Sequence, residues 1–160
     1  MTVTLKICTQ KDQDELVRHM RTQDIEEMAL IPRLCPADAV LYSVAISSVC
    51  FAMRIEHGPL LCIFGAAVAP IIQGEASIWE LGTTAIDSHR TAFMRHCRPA
   101  LRLVMDALPE VDTFFNFIPE TNLRSMRWLE TLGARFNART ISQHGVQIRG
   151  FVIDREKAHV

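Results

Sequence analysis

The chain has 160 residues, of which 49% are hydrophobic, so it is long enough to bury one core and too short for two comfortable domains. Its 17 basic and 18 acidic side chains give a net charge of -1, which excludes the chain-wide positive field that attracts nucleic acid or an anionic membrane surface. We therefore expect a single domain over residues 1–155 and a loose C-terminal tail over residues 156–160.

The number and spacing of the cysteines indicate the redox state of the cellular compartment. The five cysteines are odd in number, widely spaced and without a Cys-x-x-Cys pair, which argues against a disulfide framework and a zinc site. They are expected to be small buried residues in a reducing environment. No apolar run approaches the roughly 18 residues of a membrane helix, and the first residues lack a signal pattern. These features predict a cytoplasmic protein, or one that acts where cytoplasmic contents assemble.

The N-terminal residues predict a strand followed by two helices. Val3 to Cys8 alternates like a short strand, and Asp12 to Arg21 carries apolar residues on one helical stripe. Thr22-Gln23-Asp24 resembles the start of a second helix with acidic residues in its first turn, and Pro32 is expected to end that helix.

A β-rich region follows. Ala39 to Arg54, rich in Val, Ile, Tyr and Phe, predicts one long strand that includes Tyr42. A turn at residues 56–59 and a return run from Leu60 to Val68 predict a hairpin. After a second turn region at residues 71–75 the chain enters another strand, so three antiparallel strands are expected before the next helix.

The stretch from Trp79 to Phe136 predicts a βαβα unit. Residues 79–86 form an extended apolar run, and the helical spacing of the next apolar residues predicts a helix that includes Phe93, Cys97, Leu101, Val104 and Leu108. A buried strand at residues 112–118 and an amphipathic helix from Asn122 to Leu132, stopped by Gly133, complete the unit. Parallel strands joined by a helix leave a crevice at their carboxyl ends, so a small-molecule site is expected near residues 86–90.

With two final strands at residues 134–142 and 146–154, the predicted order is β, α, α, β, β, β, α, β, α, β, β. This order, together with a helix that begins with Asn122 and ends in Leu132-Gly133, resembles the GCN5-related N-acetyltransferase (GNAT) superfamily. A narrower resemblance, to the acetyltransferase-like proteins of tailed phages that include the internal virion protein A group, rests on Trp79 to Thr83, His89-Arg90, Phe93 to Arg95, Asn116 and Trp128 to Gly133.

The superfamily resemblance implies a mixed α/β domain in an α+β arrangement. Its sheet would be mainly antiparallel, splayed between the strands at 79–86 and 112–118, with helices on both faces. It also implies transfer of an acetyl group from acetyl-CoA to an amine, with Glu80 as a weak catalytic base. The residues that it implies for coenzyme binding are Thr84, Ala85, Ile86, His89, Arg90, Arg95 and Asn122.

The chain departs from the family pattern at two places. Arg90 keeps the first position of the phosphate-binding loop, but Phe93 and Arg95 stand where the family has small residues. Leu129 stands where the family has a tyrosine acid. A non-catalytic virion or assembly component, which binds phage proteins or itself, is therefore the alternative to an enzyme, and a coenzyme-binding module without turnover is the third possibility.

Several candidate residues also have purely structural interpretations. Glu80 is either a base or a carboxylate that is solvated or paired with an arginine. The basic cluster of the central helix is either a coenzyme site or a solvated contact surface, and it consists of His89, Arg90, Arg95, His96, Arg98 and Arg102. Pro99 leaves open a helix start near Arg98. Asn122 is a good helix cap by residue type, and a metal site has no support in the spacing of the histidines.

Overall fold

The computed structural model describes residues 2–30 and 34–160, so the predicted helix end at Pro32 lies outside the described residues. In chain order the elements are β1 (Val3–Ile7), α1 (Gln10–His19), α2 (Thr22–Leu30), α3 (Pro36–Ile46), β2 (Val49–Ile55), β3 (Leu60–Val68), β4 (Glu75–Gly82), α4 (Ala85–Ser88), α5 (Arg90–Ala107), β5 (Thr113–Pro119), α6 (Leu123–Thr131), β6 (Arg135–Gln143) and β7 (Val146–Asp154).

The strands form one seven-stranded sheet in the order β1-β2-β3-β4-β5-β7-β6. All neighbouring strands are antiparallel except β4 and β5, which are parallel. The predicted hairpin, the antiparallel run that precedes the parallel step and the mainly antiparallel sheet are confirmed.

The sheet carries a core on each face. Beneath α5 and α6 the buried residues include Val104, Phe114 and Ile153. Beneath α1, α2 and α3 a second buried cluster includes Leu16 and Val40. Helices therefore cover both faces, as predicted.

The predicted long strand at residues 39–54 is wrong, because its first half is helix α3. Pro36 occupies the first turn of this helix, where its fixed backbone and missing N–H fit well. Ala39 and Val40 are buried against the neighbouring helices, and this tertiary packing overrides the β propensity of the Val and Ile residues. Tyr42 consequently lies on a helix and not on a strand, and its side chain is exposed.

The predicted strand at residues 79–86 ends early, at Gly82. The next residue, Thr83, is buried, and its hydroxyl donates to the Leu60 carbonyl at 2.6 Å. That bond turns the chain away from the sheet into the short helix α4. The following helix α5 begins at Arg90 and continues through the exposed Pro99, so a start near Arg98 is wrong.

The C-terminal segment packs on the end of α6. Gly133 has a φ of +95°, and a Cβ at this position would lie 2.7 Å from the Lys157 carbonyl oxygen, so both the backbone and the contact require glycine. The His159 amide donates to the Leu132 carbonyl at 3.1 Å.

The cysteines divide into two groups. Cys62 and Cys97 are buried as predicted, whereas Cys8 and Cys50 are partly exposed and Cys35 is exposed. The prediction of five buried cysteines is therefore wrong for three of them, which lie near the surface of the α1 and α3 side. Within residues 2–30 and 34–160, none of the helices has the length and apolar character that crossing a membrane requires.

Candidate active site

The strands β4 and β5 separate partway along their length. They pair in parallel only at Glu75–Ser77 and Thr113–Phe115. Beyond this segment β4 continues to pair with β3, and the Asn116 side-chain amide donates to the Ile78 carbonyl across the gap at 2.6 Å. The predicted splay of the two parallel strands is confirmed, and it begins at Ile78.

A cavity of about 370 Å³ occupies this opening. The helices α5 and α6 line it with apolar side chains such as Leu101 and Leu129, whereas Arg21, Asp24 and Glu27 line it from the α1–α2 side. The cavity is lined by β4 residues 78–81. None of residues 86–90, near which the sequence predicts a small-molecule site, belongs to its lining.

Glu80 faces this cavity from the middle of the opened part of β4. Alternation along the strand places it opposite Trp79, whose indole N–H donates to Ser47 Oγ at 2.8 Å on the α3 side. The Glu80 side chain is only 16% exposed. Its Oε2 accepts a hydrogen bond from Arg21 at 3.1 Å, while Oε1 is buried without a strong donor, and the weakly donating Cys62 thiol lies beside the carboxyl group. Of the two structural interpretations, the structure shows the arginine pair and not the solvated carboxylate.

The environment of Glu80 changes its acidity. Burial raises the pKa of the Glu80 carboxyl; the Arg21 charge opposes this rise, the Asp24 charge adds to it, and the net pKa is about 7. Both the carboxylic acid and the carboxylate are therefore populated near neutral pH. A carboxylate with such a pKa and one oxygen that Arg21 does not hold is suited to accept a proton at that pH.

Arg21 joins the α1–α2 junction to the end of β4. Its guanidinium donates to both Asp24 oxygens, at 3.0 and 2.9 Å, and its backbone amide donates to the Gly82 carbonyl at 2.9 Å. A Cβ on Gly82 would lie 2.7 Å from Arg21 Cζ, so glycine is what allows this arginine to approach the backbone so closely. Burial lowers the pKa of Arg21, but the Glu80 and Asp24 charges raise it more, and the guanidinium stays charged.

Asp24 and Glu27 add two further carboxyl groups to this end of the cavity. Burial raises the pKa of Asp24, although Arg21 and the Gly82 amide, which donates to Asp24 Oδ2 at 2.6 Å, oppose the rise. Burial and the neighbouring Asp24 likewise raise the pKa of Glu27, which accepts a hydrogen bond from the Asn122 side chain. Three carboxyl groups thus face one guanidinium, an arrangement that favours a cationic ligand.

The structure separates most of the predicted coenzyme residues from this cavity. Asn122 lines it and also caps α6, because its side chain accepts a hydrogen bond from the Ser125 amide at 3.0 Å. The remaining predicted residues lie outside the cavity lining, on α4 or near the start of α5: Thr84, Ala85, Ile86, His89, Arg90 and Arg95. Their roles in binding stay predictions.

The basic cluster spreads along α5. Arg90 and Arg95 are exposed, and a five-residue spacing on a helix of 3.6 residues per turn points them about 140° apart. Arg98 donates to the Thr131 carbonyl and Arg102 to the Val160 carbonyl, at 3.3 and 3.1 Å. The last two arginines therefore contact the C-terminal part of the chain, away from the start of the helix.

Phe93 is directed into the protein and not toward the start of α5. It is buried, and its ring lies 5.9 Å from the Trp128 ring of α6, centroid to centroid. The aromatic group therefore leaves the exposed surface of the first α5 turn clear, although it narrows the space between α5 and α6. The Trp128 indole nitrogen is buried beside the Cys97 thiol.

The position at which the GNAT resemblance implies a tyrosine acid holds a side chain that cannot donate a proton. Leu129 lies there, buried in the cavity lining. The nearby Cys97 thiol donates to the Phe93 carbonyl at 3.1 Å, and burial raises its pKa to about 12. Tyr42 lies exposed on α3, outside the cavity lining.

The sequence pattern does not identify Arg21, Asp24 and Glu27 as site residues. The acidic residues after Thr22 indicate the start of a helix, and nothing in their spacing indicates a binding site. The contacts with Glu80 and Gly82 cross 58 or 59 residues of sequence, so local spacing does not reveal them.

No family model matches this chain, and no curated protein sequence matches it. Solved structures do match along nearly its whole length. The chain has the GNAT fold. It aligns with the aminoglycoside acetyltransferase AAC(6')-Ib in complex with coenzyme A and kanamycin at 21% identity and a TM-score of 0.71, covering 98% of this chain and 96% of that one.

A second match is spermidine N-acetyltransferase from Vibrio cholerae in complex with CoA and spermine. The identity is 13% and the TM-score 0.72, with 97% of this chain and 96% of that chain covered. These matches confirm the predicted GNAT fold. The narrower resemblance to the phage proteins stays a prediction.

Proposed function

We propose that this chain is an acetyl-CoA-dependent N-acetyltransferase whose acceptor is a cationic amine. The observation that carries the proposal is the position of Glu80, a carboxyl group with a pKa of about 7 and one buried oxygen that Arg21 does not hold, in the cavity between the splayed strands. The GNAT fold and neighbours that were solved with CoA and amines support it.

The opening has room and polar groups for the acyl end of the coenzyme. The Ile78 carbonyl and the Gly82 amide both point away from β3, so the intervening Glu80 amide is directed into the same opening. Such a strand amide can polarise a thioester carbonyl. When bound, acetyl-CoA supplies the acetyl group as an activated thioester.

The phosphates would lie at the start of α5. The first amides of this 18-residue helix carry the positive end of its dipole, and Arg90 and His89 flank them. Because Phe93 is directed inward, this turn has an unobstructed outer surface. We assign Arg90 to phosphate binding and place the backbone of Thr84, Ala85 and Ile86 beside it, whereas Arg95 points about 140° away on the helix and has no assigned contact.

Glu80 would prepare the amine for attack. An alkylammonium group has a pKa of roughly 10.4 and must lose a proton before its nitrogen is nucleophilic. Glu80 Oε1 can accept that proton, directly or through water, while Arg21 holds Oε2 in place. Asp24 and Glu27 attract the cation and orient it toward the β4–β5 opening.

Calorimetric titration with acetyl-CoA tests the coenzyme half of this proposal. We expect micromolar binding that weakens about tenfold in Arg90→Ala, which corresponds to roughly 1.4 kcal/mol for one charge-assisted contact. Arg18→Ala is the matched control, because Arg18 is an exposed arginine on α1, which packs on the other face of the sheet, and its affinity should be unchanged. Absence of binding to the folded wild-type chain would contradict the proposal.

A non-catalytic virion or assembly role of the phage type is the second candidate. It is favoured by the exposed apolar side chains of the β3–β4 connection, where Ile71 is 93% exposed and Ile72 is 51% exposed. This role predicts self-association or capture of virion proteins, which Ile71→Ser with Ile72→Ser should abolish. Sedimentation of the wild-type and doubly substituted chains distinguishes the two: a wild-type monomer that binds acetyl-CoA argues against this candidate.

A further inference from the structure

Cys8 lies one residue beyond the end of β1, next to Cys50 of β2. The register of the two strands ends with Ile7 paired to Phe51, and continuing it by one residue sets Cys8 opposite Cys50. The Cys8 amide donates to the Cys50 carbonyl at 3.0 Å, which continues the ladder. Opposed residues place their side chains on one face with Cα atoms about 4.5–5.5 Å apart. A disulfide spans roughly 4.4–6.8 Å between Cα atoms, so the backbone already has the required separation.

The two thiols also interact with each other. The Cys50 thiol lowers the pKa of Cys8, and Cys8 raises the pKa of Cys50, while the Cys8 thiol donates to the Thr9 carbonyl at 3.6 Å. Burial and the Asp12 charge oppose the lowering at Cys8, while Gln13 assists it. Both residues are partly exposed, so a small oxidant can reach the pair.

The other cysteines lack this combination. Cys62 and Cys97 are buried, and burial raises the pKa of each thiol. Cys35 is exposed, and its thiol donates to the Asp38 carboxylate at 3.1 Å. Reactivity toward an oxidant should therefore concentrate at the Cys8 and Cys50 pair.

We propose that Cys8 and Cys50 are a site of oxidative modification at which a hydroperoxide forms an intramolecular disulfide. The Cys8 thiolate attacks one peroxide oxygen and breaks the O–O bond, giving a sulfenic acid and hydroxide, which takes up a proton as water. The deprotonated Cys50 then attacks the Cys8 sulfur, and the S–O bond breaks to release a second hydroxide, which is also protonated. Two thiols and one hydrogen peroxide thus give one disulfide and two waters.

The cross-link would close a loop over α1, α2 and α3. Cys8 directly precedes Thr9, which caps α1, and the enclosed segment carries Arg21, Asp24 and Glu27. Closing this loop restricts the unfolded chain and should stabilise the fold. The inference stands on the thiol pair alone and does not depend on acetyl transfer.

Peptide mapping of the folded chain after hydrogen peroxide treatment tests the proposal. The tryptic peptide of residues 34–54 contains both Cys35 and Cys50, so the mapping uses Cys35→Ser as its background. We expect a peptide pair joined through Cys8 and Cys50, two fewer thiols available to N-ethylmaleimide, and a melting temperature higher by about 5 °C or more that dithiothreitol reverses.

The Cys50→Ser change in the same background should abolish both the cross-link and the thermal shift. If that chain does not fold, Cys8→Ser provides the same comparison. A Cys8 that stays reduced, or that is oxidised only to the sulfinic acid without a cross-linked peptide, would overturn the proposal.

Discussion

Two clusters in this protein have the same composition, one arginine with one aspartate and one glutamate, and opposite acid–base behaviour. The Arg54 cluster joins α1 to β2 and consists of Arg54, Asp12 and Glu15. The Arg21 cluster lies at the cavity and consists of Arg21, Asp24 and Glu80. The pKa values of both carboxyl groups are lowered in the Arg54 cluster and raised in the Arg21 cluster.

Hydrogen bonding explains part of the difference. In the Arg54 cluster both oxygens of each carboxylate have donors, including the Thr9 amide at 3.0 Å and the Leu60 amide at 2.8 Å. In the Arg21 cluster the donors to Glu80 among the described residues are the Arg21 guanidinium and the weak Cys62 thiol, and no backbone amide donates to Oε1. Charged carboxylates are stabilised by donors, so the incomplete set leaves Glu80 easier to protonate.

The depth at which each cluster is buried explains the rest of the difference in carboxyl pKa values. The side chains of Glu15 and Glu80 are similarly accessible, at 20% and 16%. Glu80, however, lines a cavity within the sheet opening, and burial is the largest cause of its raised pKa. The Arg54 cluster lies near the β2–β3 turn, as the bond from Arg54 to the Gly58 carbonyl shows. The Arg54 cluster therefore favours the ionised form of both its carboxyl groups, whereas the Arg21 cluster leaves Glu80 titratable near neutral pH.

The largest effect that we expect is a loss of folding stability in the Arg21→Ala variant. Removing this guanidinium leaves Asp24 and Glu80 as buried carboxyl groups without a counter-charge, so we expect a loss of about 3–5 kcal/mol in the free energy of unfolding at pH 8. The matched change Arg54→Ala should cost about 1–2 kcal/mol, because Asp12 and Glu15 retain backbone donors and nearby water. Urea denaturation of both variants measures the difference, and equal losses would contradict the comparison.

The second prediction concerns the pH dependence of stability. The Glu80 pKa rises from an ordinary 4.5 to about 7 on folding, so the folded chain binds the proton more tightly. Glu80 therefore contributes stability below pH 4.5 that is lost as the pH rises to about 7, on the order of 3 kcal/mol in all. Glu80→Gln should flatten this decline in urea titrations between pH 5 and 8.

The Arg54 cluster should show the opposite sign. The pKa of Glu15 is lowered on folding, so its contribution is present above the unfolded value near 4.5 and is lost as the pH falls. Glu15→Gln should therefore alter the acid limb below about pH 4.5 and leave the range from pH 6 to 8 nearly unchanged. Identical pH profiles for the Glu80 and Glu15 variants would contradict the assignment of opposite shifts.

The smallest effect that we expect is a rise in the KM for a diamine acceptor when Glu27 is replaced by Gln. This change removes one charge from the acidic end of the cavity and keeps the size of the side chain that Asn122 contacts. We expect the KM to rise about tenfold, equivalent to roughly 1.4 kcal/mol, with kcat nearly unchanged. Glu26→Gln, an exposed neighbour on α2, is the control, and an equal effect of both changes would show that Glu27 acts only through net charge.

Local patterns predicted much of the fold because they depend on residues close in sequence. The helical spacing of Phe93 and Cys97 predicted α5, and the residue type of Asn122 predicted its capping of α6. The same reasoning failed at α3, whose apolar β-branched residues suit either a strand or a buried helix. There Pro36 at the helix start was the overlooked signal.

The site was less predictable than the fold. Glu80 was identified because its strand was recognised, but its partner Arg21 is 59 residues away and belongs to another element. The pKa of a buried carboxyl depends on such partners and on depth, and neither is written in local spacing. Only the folded chain distinguishes the Arg21 cluster from the Arg54 cluster.

The most direct test of the central claim is the acetyl-transfer rate of Glu80→Gln, measured with acetyl-CoA and a diamine across pH 6 to 9, beside the wild type and Glu15→Gln. If Glu80 is the base, wild-type kcat/KM should rise with pH through an inflection near 7, and Glu80→Gln should lose about 100-fold and that inflection while still binding acetyl-CoA. A Glu80→Gln chain that keeps the wild-type rate and inflection would contradict the account.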